Sequence, residues 1–179
     1  GNSSGHVRVY KNISGNWSQI GQDIDGEENN IMSGFSVSLS SDGNIVAIGA
    51  PFNIGNGVNA SGHVRIYENV SGNWSQIGQD IDGDNIFDQS GYSVSLSSDG
   101  SIVAIGANQT DFHHTDQGHV RIYENIGGTW FKIGQDINGE NEGDKSGSSV
   151  SLSSDGKTVA IGAPLNDDSG IESGHVRIY

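Results

Sequence analysis

One string, Gly-His-Val-Arg, occurs four times, beginning at Gly5, Gly62, Gly118 and Gly174, with spacings of 57, 56 and 56 residues. Trp17, Trp74 and Trp130 keep the same period, as do Asp42, Asp99 and Asp155. Residues 5–50, 62–107 and 118–163 align without a gap, and the first two copies agree at 35 of 46 positions. A fixed period of this length marks a chain of supersecondary units that bury their faces only against one another. The repeat sets the expected organisation: 5–61, 62–117 and 118–173, with 174–179 as the first strand of a fourth unit.

Each unit reads as four strands. In residues 5–12 Val7 and Val9 alternate with His6, Arg8 and Tyr10, the period of a half-buried strand. A turn at Ser14-Gly15-Asn16 leads to a second strand over 17–24. In residues 35–40 Val37 and Leu39 face one way and serines the other, and Ser41-Asp42-Gly43-Asn44 predicts a tight hairpin. The fourth strand, residues 45–50, is apolar on both faces, and Gly49 and Ala50 permit a close backbone neighbour. No stretch carries a helical period. The expected class is all-β: tandem four-stranded antiparallel, propeller-like blades, three repeats plus one extra strand, open rather than closed into a ring.

Gly34 to Leu39, then Ile45 to Pro51, then Gly62 to Tyr67 together resemble the FG-GAP repeat of integrin α-type β-propellers. The Gly-Ala-Pro triplet stands at Gly49-Ala50-Pro51 and Gly162-Ala163-Pro164, and the middle copy has Gly106-Ala107-Asn108. The resemblance implies four-stranded blades and an extracellular binding or adhesion role. The family's calcium loop is shortened here to Ser-Ser-Asp-Gly, so calcium is not carried over to Asp42, Asp99 or Asp155.

Acidic residues number 22 against 8 basic ones, a formal charge of -14, which excludes the basic face that nucleic acid requires. No apolar run approaches the ~20 residues of a membrane span, so membrane insertion is not expected. With no cysteine there is no disulfide, thiolate metal site or cysteine nucleophile. The chain starts at Gly1 without methionine and reads as a mature product or a piece of something longer.

Several groups are candidate sites. Asp80, Asp82 and Asp84 stand at i, i+2 and i+4, the spacing of oxygen-rich calcium loops; Asp23, Asp25 and Glu27 repeat it, and Asp136, Asn138 and Glu140 weaken it. Calcium is the one cofactor these residues suggest, and a solvated acidic turn is the plainer reading. The repeated histidines read as cross-strand contacts, and His113-His114 as an isolated pair that could meet a transition metal. Trp17, Trp74 and Trp130 could stack on a sugar, though packing at a blade edge explains them better. Glycosylation sequons stand at Asn2, Asn12, Asn16, Asn59, Asn69, Asn73 and Asn108.

No nucleophile elbow, phosphate loop or zinc signature is present, and almost every reactive residue occurs in triplicate. The leading expectation is therefore a non-enzymatic, extracellular or cell-surface structural protein. It would be a fibre or array unit that self-associates head to tail by strand complementation. The alternative is a lectin-like or integrin-like module that recognises glycan or protein.

Overall fold

The computed structural model describes residues 3–54, 60–109 and 116–179. Among them there are only strands, turns and irregular segments, with no helix. The fold is all-β and propeller-like, made of several antiparallel sheets that do not close into a barrel.

The strands follow the predicted alternation, with boundaries set by packing. The first sheet region holds β1 (His6–Val7) paired with β4 (Ile24–Asp25), and β2 (Tyr10–Ile13) paired with β3 (Asn16–Gln19). The next sheet runs β5 (Ser36–Leu39), β6 (Ile45–Ala50), β7 (His63–Val70) and β8 (Asn73–Gln76), with β9 (Ile81–Asp82) pairing the start of β7. The third runs β10 (Ser93–Leu96), β11 (Ile102–Ala107), β12 (His119–Ile126) and β13 (Thr129–Asn138). The last holds β14 (Ser149–Leu152), β15 (Val159–Ala163) and β16 (His175–Ile178). The sheets thus straddle the sequence repeat. Each full sheet takes two strands from one 56-residue unit and the rest from the next.

The turns have the chemistry expected of them. Ser14 and Gly15 both have positive φ (52° and 91°), which gives the two-residue hairpin the twist of its strands. The Ser-Ser-Asp-Gly loop is a self-contained cap. The Asp42 carboxylate accepts from the Ser40 hydroxyl at 2.6 Å and from the Asn44 amide at 3.0 Å. The Ser40 hydroxyl oxygen in turn accepts from the Ile45 amide at 2.9 Å. These bonds hold Asp42 below the usual carboxylate range, the Ser40 hydroxyl contributing most.

The serine face of each first strand joins one sheet to the next. Ser36 Oγ donates to the Gly91 carbonyl and Ser93 Oγ to the Gly147 carbonyl, both at 2.7 Å. The Leu96 amide donates to Ser38 Oγ at 3.0 Å, and the Leu152 amide to Ser95 Oγ at 2.9 Å. Such close approach needs a missing side chain. A Cβ on Gly49 would stand 2.1 Å from the Gly91 carbonyl oxygen, and one on Gly106 2.2 Å from that of Gly147.

Apolar packing fills the same seams. Val46, Ile48 and Trp74 cluster with Val7, Val9 and Ile24 of the preceding sheet region. Ala47, Val64 and Ile66 meet Val94, Leu96, Val103 and Ile105 of the following sheet. β6 and β11 are buried on both faces, as the sequence of residues 45–50 predicts.

Candidate functional site

The Gly-His-Val-Arg string opens the third strand of each sheet, β7, β12 and β16, and its counterpart in the first region is β1. Burial of the alternate valines against the next sheet fixes where the histidine and arginine emerge. His63, Arg65, His119 and Arg121 are all buried. Burial keeps His63 and His119 neutral, each pushed down to about 4; Asp80 opposes this at His63, and Arg121 adds to it at His119.

The acidic residues predicted as calcium ligands mostly serve the arginines. Glu27 pairs with Arg65 at 2.8 Å, Asp84 with Arg121 at 2.9 Å, and Glu140 with Arg177. Each of these pairs links one sheet to the next. Within one sheet region, Arg8 holds Asp23 at 2.7 Å, and its hydrogen bonds bring that carboxyl to about 2. Arg121 and Lys132 hold Asp136 at 2.9 and 2.7 Å; burial pushes Asp136 upward, but these bonds outweigh it and leave it at about 2.

The middle copy differs. Arg65 is drawn away to Glu27 and to the Asp25 carbonyl, 3.2 Å from its guanidinium. Asp80 accepts from the Gln76 amide at 2.7 Å and lies 3.7 Å from Nδ1 of His63. Asp82 stands directly opposite His63 in the ladder between β7 and β9. One ligand atom from each of His63, Asp80 and Asp82 lies within 4.8 Å of the others. The third copy cannot repeat this set, because Asn138 replaces Asp82. A second, more exposed group joins Glu140, Asp168 and His175, with Arg177 also on Glu140.

Sequence reasoning found Asp80 and Asp82 but read His63 as a strand contact. What distinguishes the middle copy among the described residues is that Arg65 pairs with Glu27, whereas Arg8 holds Asp23 and Arg121 holds both Asp84 and Asp136, and that difference is made in three dimensions. Of the other candidates, Asp25 is exposed in β4. Asn12 and Asn16 are exposed at the first hairpin and Asn73 at its copy. The Asn69 amide nitrogen, the atom a glycan would occupy, is buried, and so is Asn108. Asn2, Asn59, His113 and His114 lie outside the described residues.

The tryptophans divide likewise. Trp74 and Trp130 are buried, and their indole N–H groups donate to the carbonyls of Ile20, just past β3, and Ile77, just past β8, both at 2.9 Å. Gln22 and Gln79 bind the backbone of Trp74 and Trp130, respectively. Trp17 is 70% exposed, which leaves it alone of the three open to a stacking partner. Gly134, the counterpart of Gly21 and Gly78, lines a groove of about 350 Å³ with Ile133, Gln135, Leu152 and Val159.

The FG-GAP repeat model matches residues 138–179. This chain carries an FG-GAP repeat. No curated protein matches it in sequence. Its architecture is similar to solved propeller-type structures. A candidate 6-phosphogluconolactonase of Bacteroides uniformis ATCC 8492 is 16% identical with a TM-score of 0.66, over 99% of this chain and 45% of that one. A candidate 6-phosphogluconolactonase of Bacteroides fragilis NCTC 9343 is 18% identical with a TM-score of 0.52, over 78% of this chain and 35% of that one. The periplasmic gluconolactonase of Pseudomonas aeruginosa is 17% identical with a TM-score of 0.52, over 89% and 44%. The chain spans less than half the length of each. At these identities the likeness is one of fold.

The comparisons correct two expectations. The structures sharing this architecture carry the names of enzymes, so the repeat gives no ground for a non-enzymatic fibre unit or adhesion module. The physical reason lies in the argument from triplication. Repeated residues build the blades, so their recurrence does not speak against a site where one copy departs from the others.

Proposed function

We propose that this chain is an arc of a β-propeller hydrolase that opens a sugar lactone. The observation that carries this reading is the convergence of a buried histidine with two carboxylates at His63, Asp80 and Asp82. The names of the structural neighbours support the substrate class.

In such a reaction a carboxylate takes a proton from a water, and the water oxygen attacks the lactone carbonyl carbon. The ring C–O bond then breaks and the ring oxygen receives the proton. Asp80, its side chain about one-third exposed, is the member open to a substrate; His63, at 2%, is buried beside it. The test is hydrolysis of glucono-δ-lactone and its 6-phosphate, corrected for the spontaneous rate. Turnover that falls ~100-fold or more in Asp80→Asn, in the range positioned acid–base groups contribute, supports the reading. Turnover equal to the spontaneous rate, or unchanged in the variant, overturns it.

A further inference from the structure

We infer that His63, Asp80 and Asp82 form a binding site for one divalent first-row transition ion, with Zn²⁺ the fitting probe. The inference deepens the hydrolase reading of this site and rests on that reading only for the use to which a bound water would be put.

The donor set decides the class of ion. One imidazole nitrogen and two carboxylate oxygens suit a borderline ion that accepts nitrogen and oxygen together. Calcium takes six to eight oxygen ligands, and an imidazole adds none. Three protein ligands also leave a coordination position open, as zinc sites that activate water do. The ligand atoms lie within 4.8 Å of one another, close to the span that ligands at zinc's ~2.0–2.2 Å can cover.

The surroundings favour a cation here and not in the other copies. Nδ1 of His63 is 3.7 Å from Asp80, beyond hydrogen-bond reach, and the ring is almost fully buried and directed at the carboxylates. Arg65 stands near, but Glu27 neutralises it at 2.8 Å. In the first copy the counterpart of Asp80 is Asp23, which Arg8 holds by hydrogen bonds from two nitrogens. In the third copy Arg121 and Lys132 occupy Asp136, and Asn138 supplies no carboxylate. A guanidinium or ammonium already fills the place of the ion in both. Among the described residues the other such group, Glu140, Asp168 and His175, is more exposed and has Arg177 on Glu140.

The test is isothermal titration of the untagged chain with ZnCl₂ and, separately, CaCl₂, without substrate. The expected result is one Zn²⁺ per chain, bound at least tenfold more tightly than Ca²⁺. Asp82→Asn installs the residue that the third copy carries naturally, so the fold tolerates it. It should weaken zinc by more than the ~10–100-fold typical of outer-shell changes. Asp25→Asn, the matching change in the first copy, should leave binding unchanged. Thermal melts of the metal-free forms show whether Asp82→Asn folds as the wild type does. Zinc retained by Asp82→Asn would place the ion elsewhere, for instance on His113 and His114, and overturns the site. No zinc binding, or a preference for calcium, overturns it as well. Zinc binding without lactone turnover keeps the site and removes the hydrolase reading; turnover without zinc binding does the reverse.

Discussion

At the scale of single residues, the same side chain does different work in different copies. Trp74 is buried and donates to the Ile20 carbonyl, whereas Trp17 stands 70% exposed. Trp74→Ala should therefore lower stability by about 3–5 kcal/mol, the usual cost of deleting a buried large aromatic. Trp17→Ala should change it by no more than ~0.5 kcal/mol. Urea denaturation of the two variants checks the contrast, and equal losses would contradict this packing. His63 and His119 make a second residue-scale prediction. Both are held neutral by burial, at about 4, against about 6.5 in an unfolded chain. Between those values the unfolded chain takes up protons that the folded chain refuses. Stability is then full above pH 6.5, falls as pH drops, and has lost this contribution by pH 4. By linkage each histidine accounts for roughly 3 kcal/mol. Denaturation midpoints measured from pH 7 to pH 4 without added metal should show the slope, and a flat profile would count against buried neutral imidazoles.

At the scale of the elements, the join between sheets depends on serines and glycines more than on bulk. A Cβ at Gly106 meets the Gly147 carbonyl oxygen at 2.2 Å, a backbone atom that cannot swing away. Gly106→Ala should cost at least the ~1–3 kcal/mol of overpacking and lower the melting temperature. Gly143, which would meet no atom within 4 Å, is the surface comparison, where only its positive φ of 86° is at stake. A melt in which Gly106→Ala is no worse than Gly143→Ala would refute the close approach. Much of this level was legible in the sequence. The alternation of Val37 and Leu39 with serines, and the apolar run of 45–50, located their strands because burial follows period two. Two features were not legible. The sheets straddle the repeat, since a periodic sequence has no intrinsic start. The strand read over 5–12 is broken into β1 and β2, while its copy β7 runs unbroken between two full neighbours. Flanking sheets, absent from any local pattern, decide that difference.

At the scale of the whole molecule, the repeat supplies the scaffold, and the copies differ in how their charged residues pair. The carboxylates at i, i+2 and i+4 were visible in sequence, yet five of them are spent on arginines: Asp23, Glu27, Asp84, Asp136 and Glu140. Which carboxylates an arginine engages depends on whether it turns to its own sheet, to the neighbouring one or to both, and spacing alone does not say. The central claim is that His63 and its two carboxylates form a functional centre. The most direct measurement is a titration of ¹⁵N-labelled protein with gluconate, the ring-opened product, followed through the imidazole resonances. The account predicts saturable shifts at His63, with His119 and His6 unmoved. Equal shifts at all three histidines, or none at His63, would contradict it.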